Sequence, residues 1–126
     1  MKKLYNPKSP HAIRGAKAEE VVKDWLASQG IIYCHPGYTT YGPDAGDICI
    51  NGTVFDVKTP MKSSYRNITS SKRKDVHIDY LIGVDYYDNI LGAFDYNKVK
   101  DQPKGYDLIS FNQFSVKLLL KLCNIC

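Results

Sequence analysis

A chain of 126 residues that is 44% hydrophobic and 24% charged has the size and composition of one globular domain with a sizeable core rather than two. Its 17 Lys and Arg against 13 Asp and Glu leave a formal charge of +4, a mild surplus that permits a polyanionic partner without demanding one. The longest apolar run is too short to cross a bilayer, so no membrane role is expected.

The opening MKKLYNPKSP is basic, but Pro7 and Pro10 arrive before any apolar stretch, so it does not read as a signal peptide and a cytosolic protein is expected. Residues 1–11 read as a polar, basic arm, and residues 12–126 as a single domain. Ala18, Val21, Val22, Trp25 and Leu26 recur at helical spacing and predict a helix over 12–29, with Gly30 as its stop. A short apolar run at 31–34 predicts a strand, followed by a loop marked by Pro36, Gly37, Gly42, Pro43 and Gly46.

Residues 47–51 and 53–58 alternate around Asn51-Gly52, the strongest short hairpin signal a sequence carries. Residues 59–78 are polar and basic and carry no firm element, a helix being the one considered. Two strands are expected at 80–85 and 90–94 around the turn Tyr86-Tyr87-Asp88-Asn89, a further strand at 106–109, and a closing helix over 111–122. Helix, strands and helix in that order predict an α/β or α+β sandwich. Cys34, Cys49, Cys123 and Cys126 read as free thiols in a reducing cytosol, because the CxxC pair has no second close pair to complete a zinc site.

A two-residue turn sets the hairpin register: Ile50 faces Thr53, Cys49 faces Val54, Ile48 faces Phe55, and Asp47 faces Asp56. Ile48, Ile50, Phe55 and Val57 then form the core face, while Asp47, Cys49, Val54, Asp56 and Lys58 share the other. Asp47 and Asp56 fall at a non-hydrogen-bonded position, where opposed Cβ atoms stand only about 4.5–5.5 Å apart and like charges repel. Such a pair suits a hard divalent cation, and Lys58 beside it suits an anionic transition state. The bland alternative is a solvated surface cluster in which Lys58 neutralises two strand-end carboxylates.

The run GDICINGTVFDVKT resembles the signature of the PD-(D/E)xK nuclease superfamily, an Asp opening one strand and Asp-x-Lys ending its hairpin partner. Members usually carry a Glu on the preceding helix in a Gly-x-x-x-Glu setting, matched here by Gly15 and Glu19, with Glu20 as the alternative. The resemblance covers roughly residues 15–59. It implies a restriction-endonuclease-like fold with a central mixed sheet of four to five strands flanked by helices. It also implies an Mg²⁺-dependent endonuclease, with Mn²⁺ able to substitute, hydrolysing phosphodiester bonds in DNA. Glu19, Asp47 and Asp56 carry over as metal-site carboxylates and Lys58 as the catalytic lysine. Asp44, in the literal Pro43-Asp44, is rejected because it lies in the loop without a cross-strand partner.

Basic residues flank this site on both sides, with Lys2, Lys3, Lys8, Arg14 and Lys17 before it and Lys62, Arg66, Lys72, Arg73 and Lys74 after it. Tyr5, Ser63, Ser64, Tyr65, Asn67 and Ser70 are interleaved, so a sugar-phosphate track of DNA is expected along them. His11, His35 and His77 form no spaced pair and read as ordinary. Small members of the superfamily include junction resolvases, restriction and homing endonucleases and phage or mobile-element nucleases, for which the compartment is the host cytosol. Cutting both strands favours pairing, so a homodimer is expected. The competing expectation is a non-catalytic nucleic-acid-binding or assembly subunit that keeps the same fold.

Overall fold

The computed structural model describes residues 8–34, 47–72, 77–100 and 106–124. Helix α1 is Pro10–Ser28, two residues longer at its start than helical spacing predicts. The Ser9 hydroxyl accepts the Ala12 N–H at 3.1 Å, and Pro10 occupies the first helical position, where no N–H is needed. The helix therefore takes Pro10 and His11 out of the expected arm. Ala18, Val22 and Leu26, four residues apart, are its fully buried stripe.

Strands β1 (Ile48–Ile50) and β2 (Thr53–Lys58) form the expected hairpin. Asn51 and Gly52 both have positive φ, 50° and 82°, as a two-residue hairpin turn requires. The pairing Ile48↔Phe55, Cys49↔Val54, Ile50↔Thr53 is the register set by that turn. The other elements are β3 (Asn67–Ser70), β4 (Tyr80–Val84), β5 (Ile90–Asp95), β6 (Asp107–Ser110) and α2 (Val116–Leu122).

The protein is a mixed α/β structure built on a four-stranded sheet, order β1-β2-β4-β5, in which β2 and β4 are parallel and the other pairs antiparallel. Ile48, Ile50, Phe55 and Val57 meet the α1 stripe, Ile82, Ala93 and Leu119 on one face. On the other, Leu81 and Phe94 pack against Ile68, Ile109 and Phe114 from a separate two-stranded sheet, β3 paired with β6, and its flank. Leu81 is the β4 partner of Asp56. The face that carries Asp56 and Lys58 is therefore half roofed, and not the open sheet surface that alternation alone suggests.

Three elements differ from the sequence reading. The run at 31–34 contributes a single bridge, Cys34 with Cys49, rather than a strand. β3 lies inside the stretch left without an element. Its signal is short: only Ile68 is a large apolar residue, with Ser70 buried beside it. The closing helix is split by a 3₁₀ turn at Phe111–Gln113, and α2 restarts where the Ser115 hydroxyl accepts the Leu118 N–H at 3.0 Å. Its start lies hard against β5: a Cβ on Gly92 would collide with the Ser115 carbonyl group, and only glycine fits there. Among the described residues no helix is long and apolar enough to cross a membrane, and Cys34, Cys49 and Cys123 are free thiols.

Candidate active site

The carboxylates meet where the hairpin opens. Asp47 bends away just before β1. Its N–H donates to the Phe55 carbonyl at 2.9 Å, and its carboxyl Oδ2 accepts the Val57 N–H at 2.7 Å. This corrects the plain cross-strand pairing with Asp56, because the Asp47 side chain takes the place of a backbone acceptor at the end of the ladder. The two carboxyls still lie within hydrogen-bond reach of each other.

That contact defines the electrostatics. Burial pushes the Asp47 carboxyl up to about 9, helped by the Asp56 charge, the hydrogen bond to Asp56 and the Glu19 charge, with only the Val57 N–H opposing. Asp47 thus holds a proton at neutral pH. Lys58 Nζ stands 3.0 Å from Asp56 Oδ2. Burial alone would lower its pKa, but the Asp56 and Asp47 carboxyls outweigh it and hold the ammonium above its usual range. With 38% of its side chain exposed, Lys58 still reaches the cleft.

The cleft has a volume of about 500 Å³. α1 supplies Gly15, Ala16 and Glu19, and the hairpin supplies Asp47, Asp56 and Lys58. Glu19 lines it and Glu20 does not. Its partner in the structure is Lys23, at 3.4 Å one turn on. Glu19, Asp47, Asp56 and Lys58 are therefore all brought to one cleft.

The opposite wall was not legible in the sequence. It comes from Thr69, Ser70 and Ser71 at the end of β3 and from Tyr96 and Tyr106. The Tyr96 hydroxyl donates to the Ser71 carbonyl at 2.8 Å, tying that wall to the end of β5.

Several basic residues expected on a phosphate track are committed to the fold instead. The Arg14 guanidinium bonds Asp88 at 3.0 Å, Thr59 Oγ1 at 3.1 Å and the Asp85 carbonyl at 2.6 Å, and lies over the Tyr86 ring. It ties α1 to the β4–β5 turn. Lys72 Nζ donates to the Tyr96 carbonyl at 3.0 Å and sits over that ring. Lys17 lies 3.6 Å from Asp88 but stays 62% exposed. Lys8, Lys62 and Arg66 are exposed. Lys2, Lys3, Tyr5, Asp44, Arg73, Lys74, His35 and Cys126 lie outside the described residues. His77 Nε2 contacts Asp79 Oδ1 at 3.1 Å while Asp79 Oδ2 accepts the Val54 N–H, a structural arrangement.

A divalent cation fits the donor set in part. Mg²⁺ is held by one or two carboxylates with waters and phosphate oxygens completing its shell, so the Asp47/Asp56 pair suffices chemically. Among the described residues no three Asp, Glu, His or Cys groups form a ready cage. Glu19 must leave Lys23 to join. No protein-family model, curated protein or solved structure matches the chain.

Proposed function

We propose that this chain is a Mg²⁺-dependent deoxyribonuclease of the PD-(D/E)xK type, with Mn²⁺ as a substitute, and that its sheet and flanking helices are a restriction-endonuclease-like domain. One observation carries the reading: two carboxyls in contact, one of them kept protonated by burial and by its neighbour's charge, open onto a cleft beside a charged lysine. Surface ion pairs have no reason to bury Asp47 against Asp56, because each would be more stable in water. A cation site does.

In this reading Asp47 and Asp56 would hold the ion, with Glu19, once released from Lys23, as a further carboxylate. The ion supplies Lewis-acid charge to the phosphate. Lys58, fixed by Asp56, presents its ammonium to the charge that develops on the phosphoryl oxygens, and Asp56 keeps that ammonium from drifting into solvent. Loss of the Asp47 proton accompanies metal binding. A cytosolic setting and a homodimer belong to the same proposal.

The absence of a ready three-donor cage among the described residues favours a second reading, a non-catalytic nucleic-acid-binding or assembly subunit. Incubating the protein with linear, nicked, branched and single-stranded DNA in Mg²⁺, Mn²⁺ or chelator separates the two. Metal-dependent cleavage supports the nuclease; binding without cleavage in either metal supports the subunit.

A further inference from the structure

A second groove, of about 290 Å³, continues the carboxylate cleft past Lys58. Gly15, Val57, Lys58 and Thr69 border both, so the groove adjoins the cleft at Lys58. Its far walls are Pro60, Met61 and Tyr65, with the Asn67 amide at its rim. That is a slot with an apolar wall and an aromatic ring, bordered by the polar side chains of His11, Thr59, Asn67 and Thr69.

The slot is preformed. Arg14 pins Thr59 from α1, and Pro60 is buried behind it. The Tyr65 N–H donates to the Lys62 carbonyl, and the Arg66 guanidinium bonds the Ser63 and Tyr65 carbonyls, so the turn that carries the ring is closed on itself. Tyr65 is 45% exposed, with Lys62 Nζ 5.7 Å from its ring centre.

Gly15 stands at the junction of the two cavities. A Cβ there would meet nothing within 4 Å. Glycine inside a helix costs stability relative to alanine, yet no neighbour among the described residues requires it here. The missing side chain leaves a gap between cleft and groove.

We infer that the groove is a subsite for one unpaired nucleobase next to the scissile phosphate, so that the preferred substrate is single-stranded or locally unpaired DNA. The inference rests on the nuclease reading above. The volume lies at the lower edge of small-molecule sites and holds a nucleoside, not a base pair with its stacked neighbours. Tyr65 offers the stacking face, which accepts any base, and Asn67 a hydrogen bond to the base edge. Lys62 and Arg66 lie on the same loop, where the strand's next phosphates pass.

The test is fluorescence anisotropy with a 5′-fluorescein oligothymidylate of about 12 nucleotides, the same strand in duplex, and the strand carrying one abasic nucleotide, all with Ca²⁺ in place of Mg²⁺. The single strand should bind at least roughly tenfold tighter than the duplex. Tyr65→Ala, at an exposed ring, and Gly15→Leu, a good helix former in open space, should each lose most of that preference while melting no lower than wild type by more than a few degrees. The abasic nucleotide should weaken wild type by roughly tenfold and leave Tyr65→Ala unmoved, since base and ring are one interaction. Equal binding of strand and duplex, or an abasic effect that persists in Tyr65→Ala, overturns the subsite even if Mg²⁺-dependent cleavage of duplex is intact. Failure to bind any of these DNAs in Ca²⁺, together with failure to cleave any of them in Mg²⁺ or Mn²⁺, overturns the subsite and the nuclease reading together.

Discussion

Neutralising Asp47 should stabilise the metal-free protein, and by an amount that grows with pH. The Asp47 carboxyl sits at about 9 in the folded protein and near 4 in an unfolded chain. Between those values the folded state keeps a proton that the unfolded state releases, so stability is whole below the ordinary carboxylate range and declines as pH rises toward 9. The linkage limit is about 1.4 kcal/mol per pH unit, or about 2.7 kcal/mol between pH 5 and pH 7. Screening in the open cleft reduces this, to a floor of about 1 kcal/mol. Asp47→Asn removes the titration while its amide oxygen can still accept the Val57 N–H. Thermal melting in chelator should therefore show the variant gaining on wild type by roughly 3–10 °C from pH 5 to pH 7. A difference that does not change with pH, or a variant less stable throughout, refutes the crowding argument.

Asp56→Asn should behave differently, because it strips Lys58 of its 3.0 Å partner and leaves the burial of Asp47, the larger cause of its raised pKa, in place; in chelator its melting point should keep part of the wild-type decline between pH 5 and pH 7. Mg²⁺ at about 100 times its dissociation constant should raise wild-type stability by about 2.7 kcal/mol and raise neither Asn variant, as calorimetric melting will report. Apparent Mg²⁺ affinity should climb about tenfold per pH unit below pH 9 as the Asp47 proton is displaced, measured by titration calorimetry in two buffers of different ionisation enthalpy. Arg14→Ala should cost about 2–4 kcal/mol in urea unfolding, since it breaks the tie among α1, Thr59 and the β4–β5 turn. Lys62→Ala with Arg66→Ala should flatten the salt dependence of DNA binding by roughly two phosphate contacts; an unchanged slope places the strand elsewhere.

The legible part of this protein was the part governed by local rules. Asn51-Gly52 dictated the turn, the turn dictated the register, and the register put Asp56 and Lys58 on one face, to which the bend at Asp47 returns its carboxyl. The spacing of Ala18, Val22 and Leu26 gave α1 its buried stripe and put Glu19, not Glu20, over the cleft. Long-range pairing was not legible. β3 has one strong apolar residue, and its partner β6 lies about 40 positions away, so nothing local announces the small sheet that roofs the site. Charge was misleading for a related reason: a basic residue reads the same whether it faces solvent or, like Arg14 and Lys72, is spent on holding two elements together.

The central claim is that Asp47, Asp56 and Lys58 make one phosphodiester-cleaving centre. Its most direct test is single-turnover cleavage of an end-labelled DNA strand in Mg²⁺ by wild type, Asp47→Asn and Lys58→Ala, each checked for a cooperative melt. The account predicts metal-dependent cleavage by wild type and a loss of at least roughly 10²-fold in both variants, with strand affinity retained by Lys58→Ala. Wild-type rates from either well-folded variant, or cleavage by wild type that persists in chelator, would contradict it.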